Sequence, residues 1–412
     1  MAAADPLKIL PAHLPPPPDG RTLVLAVGKA AASMALAVEQ HWPADKKLFG
    51  IALTRYGHAL TLERIRWVEA GHPVPDEAGE QAAREMLGAA RAIKSVDLLL
   101  ALISGGGSAL LSLPAAGISI GDLRKVTQDL LRSGATIQEI NTVRKHLSQI
   151  QGGRLAAACK APVLTLIISD VTGDDPTHIA SGPCAPDPTT FQEAVDVLNR
   201  FDVKPPRAVL EHLICGLRGE RDETPKPGSK VFERVENRVI ATARHSLNAA
   251  AALFREHGIE AVILGDSITG EAKEVAKVMA AFVREIRTHA SPFKPPVVLL
   301  SGGECTVTVR GTGGRGGRCA EFLLALGLEL AGTAQVHAIA ADTDGIDGSE
   351  DNAGALLAPD TLERARAQGL DARQFLAAND SYGVFSALGD LVITGPTRTN
   401  VNDYRAILIT QA

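Results

Sequence analysis

Short runs of apolar residues recur along the whole chain, and segments with the spacing of amphipathic helices separate them. Clear examples are TLVLAV at 22–27, DLLLALIS at 97–104, VLTLIIS at 163–169, VVLLS at 297–301 and TVTVR at 306–310. Strands that alternate with helices are typical of βαβ units, so the pattern predicts an α/β fold with a mainly parallel sheet. Almost every predicted strand precedes a loop rich in Gly, Asp, Ser or Lys. Because open α/β sheets bind ligands beyond the carboxyl ends of their strands, we expect the functional residues in these loops.

One segment near the middle of the chain interrupts this pattern. Residues 217–228, LRGERDETPKPG, are charged, include two prolines and show no helical or strand periodicity. A chain of 412 residues also exceeds the usual domain size of ~100–200 residues. We therefore predict two domains, an N-terminal one over 1–228 and a C-terminal one over 229–412.

Charge and composition narrow the classes of function. The 47 acidic residues outnumber the 42 basic ones and give a net charge of −5, which argues against a nucleic-acid-binding surface. The uncharged stretch 98–121 is long enough to cross a bilayer, but Gly105–Gly107 and Pro114 interrupt it, so no membrane span is expected. Five scattered cysteines without a C-x-x-C pair, and an N-terminus unlike a secretory signal, predict a reduced cytoplasmic protein. With 39 glycines and only 4% aromatic residues, the chain is expected to use backbone loops rather than large apolar pockets.

Two loops of the N-terminal half have the composition of anion-binding sites. Lys29 follows the first predicted strand and precedes an Ala-rich helix, where its ammonium group would add to the positive end of the helix dipole. A solvated first-turn lysine is the equal alternative. The second loop can present backbone N–H groups to a phosphate because its glycines have no obstructing side chains, although close strand–helix packing is the alternative. Its residues are Ser104, Gly105, Gly106, Gly107 and Ser108.

An acidic loop follows the predicted strand at 163–169. It contains Asp170, Asp174 and Asp175 in the sequence SDVTGDDPTHIASGP. Three neighbouring carboxylates need a cation or a proton between them, so the loop predicts a magnesium ligand or a general base, with Asp-capped turns as the alternative. His178 is interpreted as structural, because no second histidine lies at metal-ligand spacing.

A glycine-rich loop lies between the predicted strand TVTVR and the next helix. Gly311, Gly313 and Gly316 satisfy the G-x-G-x-x-G spacing of dinucleotide sites. However, no acidic residue ends a following strand at the distance that holds a ribose, about 20 residues on. Arginines among the glycines favour a clamp for phosphates or a carboxylate instead. They are Arg310, Arg315 and Arg318.

A second acidic loop, DTDGIDG at 342–348, follows the predicted strand VHAIAA. An EF-hand is excluded because Ile346 and Ala353 occupy positions where that loop needs ligands. The three aspartates, Asp342, Asp344 and Asp347, fit the binding of magnesium or of substrate hydroxyls. A solvated turn is the alternative, since Asp and Gly are ordinary turn residues.

Seven segments together resemble the glycerate 2-kinase family with its C-terminal MOFRL domain. In chain order they are LAVGKAA, LISGGGSALL, IQEINTVRKHLSQIQGGRLA, SDVTGDDPTHIASGP, LSGGECTVTVRGTGGRGGR, DTDGIDG and TGPTRTNVND, and they span nearly the whole chain. The resemblance implies an N-terminal Rossmann-like, doubly wound, mainly parallel sheet and a smaller C-terminal MOFRL-type domain with a mixed sheet. It also implies a magnesium-dependent enzyme that phosphorylates D-glycerate at its 2-hydroxyl with ATP, in a cleft between the domains, to give 2-phosphoglycerate.

The resemblance assigns roles to individual residues. The implied catalytic residues are Lys29, Arg318, Asp170 and Asp174. The implied nucleotide-binding residues are those of the SGGGS loop with Gly302, Gly303, Gly313, Gly314, Gly316, Gly317 and Asn400. The implied substrate contacts are Asn141, Arg144, Lys145 and Asp344, and the implied magnesium ligands are Asp170, Asp175 and Asp342.

Two features leave alternatives open. Cys319 and Ala320 stand where the family usually has Asn-Gln, and Arg398 stands where Gly is common, so nucleotide preference is not fixed. Members of the family have also been named hydroxypyruvate reductases. That NAD(P)H-dependent activity would need a nicotinamide site, for which the loop at Gly311 is the candidate. The partners expected are a small substrate and a nucleotide, and a homodimer is compatible with the sequence.

Overall fold

The computed structural model describes residues 2–309, 314–331 and 333–411. By its contacts the chain divides into two compact units, which we call the N-terminal unit, Asp5–Ala241, and the C-terminal unit, Thr242–Ala412 with Met1–Ala4. We predicted the domain boundary at residue 228, whereas the division in the structure follows Ala241. The difference arises because the strand Val235–Ala241 pairs within the N-terminal sheet.

The N-terminal unit contains one six-stranded sheet. Its strands are β1 Thr22–Val27, β2 Leu48–Arg55, β3 Ile65–Ala70, β4 Leu98–Ile103, β5 Val163–Ile168 and β6 Val235–Ala241. They lie in the order β3-β2-β1-β4-β5-β6, and every neighbouring pair is parallel. Every residue of β1, β4 and β5 is buried, as expected when helices cover both faces of a parallel sheet. Strands β1 to β3 are added towards one edge of the sheet and β4 to β6 towards the other, so the ligand crevice of such a fold lies at the carboxyl ends of β1 and β4.

The helices of this unit are α1 Pro6–Ile9, α2 Ala31–His41, α3 Glu77–Ala92, α4 Gly107–Leu110, α5 Ile120–Ser133, α6 Ile137–His146, α7 Arg154–Ala158, α8 Phe191–Arg200 and α9 Arg207–Leu217. Helices α5, α6, α8 and α9 share a second apolar core that includes Leu130, Ile140, Phe191 and Leu213. Capping boxes, in which Ser or Thr and an acidic residue satisfy each other's backbone N–H groups, start α5, α6 and α8. The α6 helix is thereby fixed where it carries several of the predicted site residues.

The C-terminal unit contains a mixed sheet and a two-strand ribbon. The strands are β7 Glu260–Gly265, β8 Gly270–Glu271, β9 Val297–Gly303, β10 Cys305–Thr306, β11 Val336–Asp342, β12 Gly354–Leu357, β13 Leu391–Val392 and β14 Asp403–Ile409. The main sheet has the order β13-β12-β11-β14-β9-β7, in which only β7 and β9 are parallel neighbours. The predicted strand TVTVR is wrong beyond Thr306, where pairing ends within the described residues.

The helices of the C-terminal unit are α10 Ala243–Glu256, α11 Ala272–His289, α12 Arg318–Leu330, α13 Thr361–Ala367, α14 Ala372–Ala377 and α15 Ser381–Leu388. Helices α11 and α12 cover one face of the sheet, and α10 packs on the other face through Leu247 and Ala251. The predicted two-part α/β architecture, parallel in the first sheet and mixed in the second, is confirmed. In the described part of the chain, no helix combines the length and apolar character that a bilayer crossing needs; the stretch 98–121 instead contains β4 and α4.

Candidate functional site

The loops that follow β1 and β4 are joined at the reversal point of the N-terminal sheet. The Lys29 N–H donates to the Gly105 carbonyl at 2.8 Å, and the Ala30 N–H donates to Ser104 Oγ at 3.0 Å. A side chain at Gly28 would put its Cβ 2.3 Å from the same Ser104 oxygen, so only glycine allows this approach. Ser104 is fully buried and already bonded, so its hydroxyl fixes the Lys29 loop rather than facing a ligand.

Neighbouring atoms leave little room for side chains on the glycines of the SGGGS loop, whether or not the loop binds an anion. Gly106 has a φ of 79°, and a Cβ there would lie 3.0 Å from His72 Nε2 and 3.3 Å from Lys29 Cγ. A Cβ on Gly107 would lie 2.5 Å from that of Ala180. His72 follows β3 in the same sheet and was missed by the sequence analysis, although its place after a parallel strand could have indicated it.

A chain of polar side chains connects this loop to helix α6. Ser108 Oγ lies 2.9 Å from Ser181 Oγ, which donates to Asn141 Oδ1 at 3.1 Å. Asn141 also accepts a hydrogen bond from Arg144 Nη1 at 3.3 Å. Ser181 and Ala180 both have positive φ, 57° and 51°, which is strained for residues other than glycine. The fold holds this turn in an unfavourable conformation that brings Ser181 to the network.

Arg144 is the charged residue of this network. Burial lowers the pKa of its guanidinium group to about 10, and no carboxylate contributes to that pKa. Its hydrogen bond within the described chain goes to the neutral amide of Asn141. A mostly buried cation without a counter-ion favours a bound carboxylate or phosphate, because the anion would compensate the lost hydration.

Lys145, the next residue on α6, has a different environment from the one expected. Its ammonium group donates to Asp187 Oδ1 at 2.6 Å, and the two side chains are 1% and 0% exposed. Burial acts to raise the pKa of Asp187, but the Lys145 charge and the hydrogen bonds from Lys145 and Thr189 together outweigh it, and the pKa is lowered. The expectation that Lys145 contacts substrate therefore does not fit its position, because its charge is neutralised inside the protein.

The acidic loop after β5 does not form a metal cage. Asp170 and Asp174 are half-buried, whereas Asp175 is exposed and accepts the Thr177 N–H at 2.8 Å in a local turn. Among the described residues, no group of three or more His, Cys, Asp or Glu side chains could hold a metal ion. Magnesium usually binds one or two carboxylates together with phosphate oxygens, so Asp170 at the carboxyl end of β5 still fits such an ion, and Asp175 fits it poorly.

In the C-terminal unit, Arg318 is the first residue of α12 and lies among carboxylates. Its Nε donates to Asp403 Oδ1 at 2.8 Å and its Nη2 to Asp342 Oδ2 at 2.6 Å, and Glu304 Oε1 is 3.6 Å from Nη1. Pairing of β11 with β14 sets Asp342 directly opposite Asp403. Burial acts to lower the pKa of Arg318, but Asp403, Asp342 and Glu304 outweigh it and raise the pKa. Arg318 is thus permanently charged and held in one orientation.

This arrangement does not favour Asp342 as a magnesium ligand. One oxygen of Asp342 accepts from Arg318, and the other accepts the Asp344 N–H at 3.0 Å. A metal ion would have to displace the guanidinium group of Arg318. Asp344 is itself buried and accepts the Ile346 N–H at 2.9 Å, so its carboxylate shapes the DTDGIDG loop.

The N-terminus of α12 is occupied by Asp347. Its carboxylate is fully buried and accepts the N–H groups of Cys319 at 3.0 Å and Ala320 at 2.8 Å. A Cβ on Gly317 would lie 2.2 Å from Asp347 Oδ1. Burial raises the pKa of Asp347 to about 6. The helix N-terminus that follows the predicted nucleotide-binding glycines therefore already binds an internal carboxylate.

The other predicted nucleotide-binding residues in this unit are also closely packed. A Cβ on Gly314 would lie 2.1 Å from the Ala378 carbonyl oxygen, and one on Gly316 would lie 2.6 Å from Ser381 Oγ. Gly302 and Gly303 end β9, where a Cβ on Gly303 would lie 2.4 Å from the Ile268 backbone. Asn400 is buried and accepts the Asn402 N–H at 3.2 Å. Arg310, Gly311 and Gly313 lie outside the described residues.

Two protein-family models match the chain. The model described as domain of unknown function DUF4147 matches residues 1–214, and that of the MOFRL family matches residues 297–403.

Proteins of similar sequence carry two kinds of name. A glycerate 2-kinase of Pyrococcus horikoshii is 42% identical over 95% of this chain and 88% of its own length. A D-glycerate 2-kinase of Thermotoga maritima is 40% identical over 93% of this chain and 89% of its own length. A protein of Agrobacterium vitis, provisionally named a hydroxypyruvate reductase, is 51% identical over 99% of this chain and 92% of its own length.

Solved structures share the whole architecture. The crystal structure of a glycerate kinase from Thermotoga maritima matches with a TM-score of 0.87 at 38% identity, covering 99% of this chain and 96% of the other. A crystal structure of a Pyrococcus horikoshii protein matches with a TM-score of 0.82 at 40% identity, covering 100% of this chain and 96% of the other.

Proposed function

Because the chain belongs to the glycerate 2-kinase family, with a DUF4147 region followed by a MOFRL region, we propose that it phosphorylates D-glycerate at the 2-hydroxyl with ATP. The product would be 2-phosphoglycerate. The observation that carries this proposal for the chain's own residues is the partly buried Arg144 cation, to which the described residues offer no carboxylate partner and which Asn141 and Ser181 link to the SGGGS loop.

The carboxylate of glycerate is the anion that suits Arg144. A guanidinium group donates two parallel hydrogen bonds to a carboxylate, and partial burial strengthens them. Asn141 orients the guanidinium group by accepting from Nη1. Lys145 then acts indirectly, because its pair with Asp187 fixes the end of α6 that carries Arg144.

Lys29 and the SGGGS loop are assigned to the phosphates. Phosphoryl transfer depends on positioning and on positive charge around the transferred oxygens, more than on covalent chemistry by the protein. Lys29 lies at the carboxyl end of β1, and its backbone is fixed against Gly105. A Cβ on Gly106 would lie 3.3 Å from Lys29 Cγ, so the glycine loop packs against the Lys29 side chain. Arg318, the second cation that the family resemblance assigns to catalysis, begins α12 in the C-terminal unit, where Asp342 and Asp403 fix its orientation.

Asp170 and Asp174 remain the candidates for orienting or deprotonating the 2-hydroxyl. Both are half-buried in the loop after β5. Magnesium, when bound with ATP, would neutralise phosphate charge, and Asp170 is the residue that best fits as its ligand. His72 is added to this group because it contacts the same loop as Lys29 and could donate a hydrogen bond to either substrate.

The alternative is an NAD(P)H-dependent hydroxypyruvate reductase, supported by the name of the Agrobacterium relative. That activity needs a glycine loop that leaves the helix N-terminus open for a pyrophosphate. Here the N-terminus of α12 is bonded to Asp347, and Gly314 and Gly316 pack against backbone and side chain of the same unit. The packing therefore favours the kinase.

Two parallel assays test the proposal. The purified protein receives ATP, magnesium and D-glycerate in one assay, and NADH with hydroxypyruvate in the other. We expect formation of ADP and a phosphoglycerate in the first and no NADH oxidation in the second. NADH oxidation without phosphorylation would reverse the choice.

A further inference from the structure

A cavity of about 570 Å³ lies in the C-terminal unit between helix α10 and the sheet. Ala249, Ala250 and Leu253 line it from α10, Ile339 and Ala341 from β11, and Tyr404 from β14. Helix α10 packs closely on β9 and β14 through Leu247 and Ala251. Towards β11 it presents mainly alanines, whose side chains are too short to fill the space. Its volume and mainly apolar lining are typical of small-molecule sites.

The cavity has the properties of a binding site rather than of a packing defect. Leu253 in its lining is 56% exposed, and Leu356 of the neighbouring strand β12 is 47% exposed, so apolar surface faces solvent here. Ser246 is nine-tenths buried, lines the cavity, and has no hydrogen-bond partner for its Oγ in the described structure. A buried hydroxyl without a partner is unfavourable, and a ligand with a ring nitrogen or carbonyl would satisfy it.

The end of β11 connects this cavity with Arg318. Ile339 and Ala341 face the cavity, whereas Ala338 and Ala340 belong to the core under α11 and α12. Asp342 lies on the same face of β11 as Ala338 and Ala340, and its carboxylate binds Arg318. Asp342 and Thr343 also border the cavity. A ligand in the cavity could therefore extend around the carboxyl end of β11 towards a fixed cation.

We propose that this cavity binds the purine base of the nucleoside triphosphate that donates the phosphoryl group. The inference rests on the proposed kinase function and names its base site. A planar ring fits between an alanine-lined helix and a sheet, with Tyr404 available for stacking and Ser246 for a hydrogen bond.

The test replaces Ala249 by tryptophan, with Asn248→Trp as the matched control. Both residues are exposed on α10, but only Ala249 lines the cavity. Isothermal titration calorimetry measures the affinity for ATP and for inorganic tripolyphosphate, which has no base. We expect Ala249→Trp to weaken the affinity for ATP at least tenfold and to leave the affinity for tripolyphosphate unchanged. Asn248→Trp should bind both compounds with the affinity of the wild type.

Other outcomes separate this proposal from the function on which it rests. If the wild type phosphorylates glycerate but Ala249→Trp retains full ATP affinity, the base site is wrong and the kinase stands. If the wild type binds ATP without phosphorylating glycerate, and Ala249→Trp loses ATP binding while Asn248→Trp keeps it, the base site stands and the function is wrong. A change of oligomeric state in Ala249→Trp, measured by light scattering with unchanged ATP affinity, would assign the surface to contact between copies and overturn the proposal.

Discussion

Replacing Arg144 by methionine should weaken substrate binding and, at the same time, stabilise the protein. Burial lowers the pKa of Arg144 from 12.5 to about 10. At 1.36 kcal/mol per pH unit, holding this charge in the unliganded protein costs about 3 kcal/mol, as an upper limit. Methionine replaces the aliphatic stem of the side chain and removes both the charge and its cost. A substrate carboxylate bound to Arg144 would recover a similar free energy. Loss of this interaction in the variant therefore predicts a rise in KM for D-glycerate of roughly 100-fold.

The assay combines steady-state kinetics with urea unfolding. We expect KM for D-glycerate to rise, KM for ATP to change little, and the free energy of unfolding to increase by ~1–3 kcal/mol. Arg207→Met serves as the control, because the Arg207 side chain is 91% exposed and should affect neither quantity. A variant that unfolds more easily while retaining its KM would show that Arg144 is a structural residue and would refute the reasoning.

Three further predictions concern residues with separable roles. Lys145→Met should lower the free energy of unfolding by ~3–5 kcal/mol in urea titrations, because the buried carboxylate of Asp187 loses its counter-ion; retained stability would contradict the pairing. Lys29→Ala should lower kcat at least ~100-fold without shifting the unfolding midpoint, and a near-normal rate would remove Lys29 from the catalytic set. Folding raises the pKa of Asp347 from 3.8 to about 6, so the folded state holds the proton of this carboxyl group more tightly than the unfolded state. The contribution of Asp347 to the free energy of unfolding should therefore fall as pH rises from about 4 to 6. Unfolding measured from pH 4 to pH 7 should show this fall in the wild type and less of it in Asp347→Asn; identical profiles would argue against the raised pKa.

The sequence predicted the fold well because the strands of the N-terminal sheet are buried on both faces. TLVLAV, for example, coincides with β1. An apolar run of that kind has no alternative solvent-exposed face, so its position in the chain is unambiguous. The failure at TVTVR has the opposite cause: alternating residues suggest a strand, but in the part of the chain that the structure describes the two-residue strand β10 pairs with β8 and ends at Thr306.

The sequence indicated which loops carry charged and glycine residues, but not which contacts their individual side chains make. Local sequence places Arg144 and Lys145 side by side, but only the fold shows that Lys145 meets Asp187, 42 residues away. In the same way, Asp342 pairs with Arg318 across 24 residues. A motif tells which charges are present, whereas the contact made by each charge depends on long-range packing.

Composition was misleading in one respect. Few aromatic residues suggested few apolar pockets, yet alanines on α10 leave a large one against the second sheet. Small side chains pack the parallel sheet tightly but leave space where a helix lies beside, rather than over, a strand.

The central claim is tested most directly by identifying the product. The protein is incubated with ATP, magnesium and D-glycerate, and the products are resolved by phosphorus NMR. The account predicts 2-phosphoglycerate and ADP in equal amounts, and strongly reduced formation of both in Lys29→Ala. Phosphorylation at the 3-hydroxyl, or no phosphorylation together with NADH-dependent reduction of hydroxypyruvate, would contradict it.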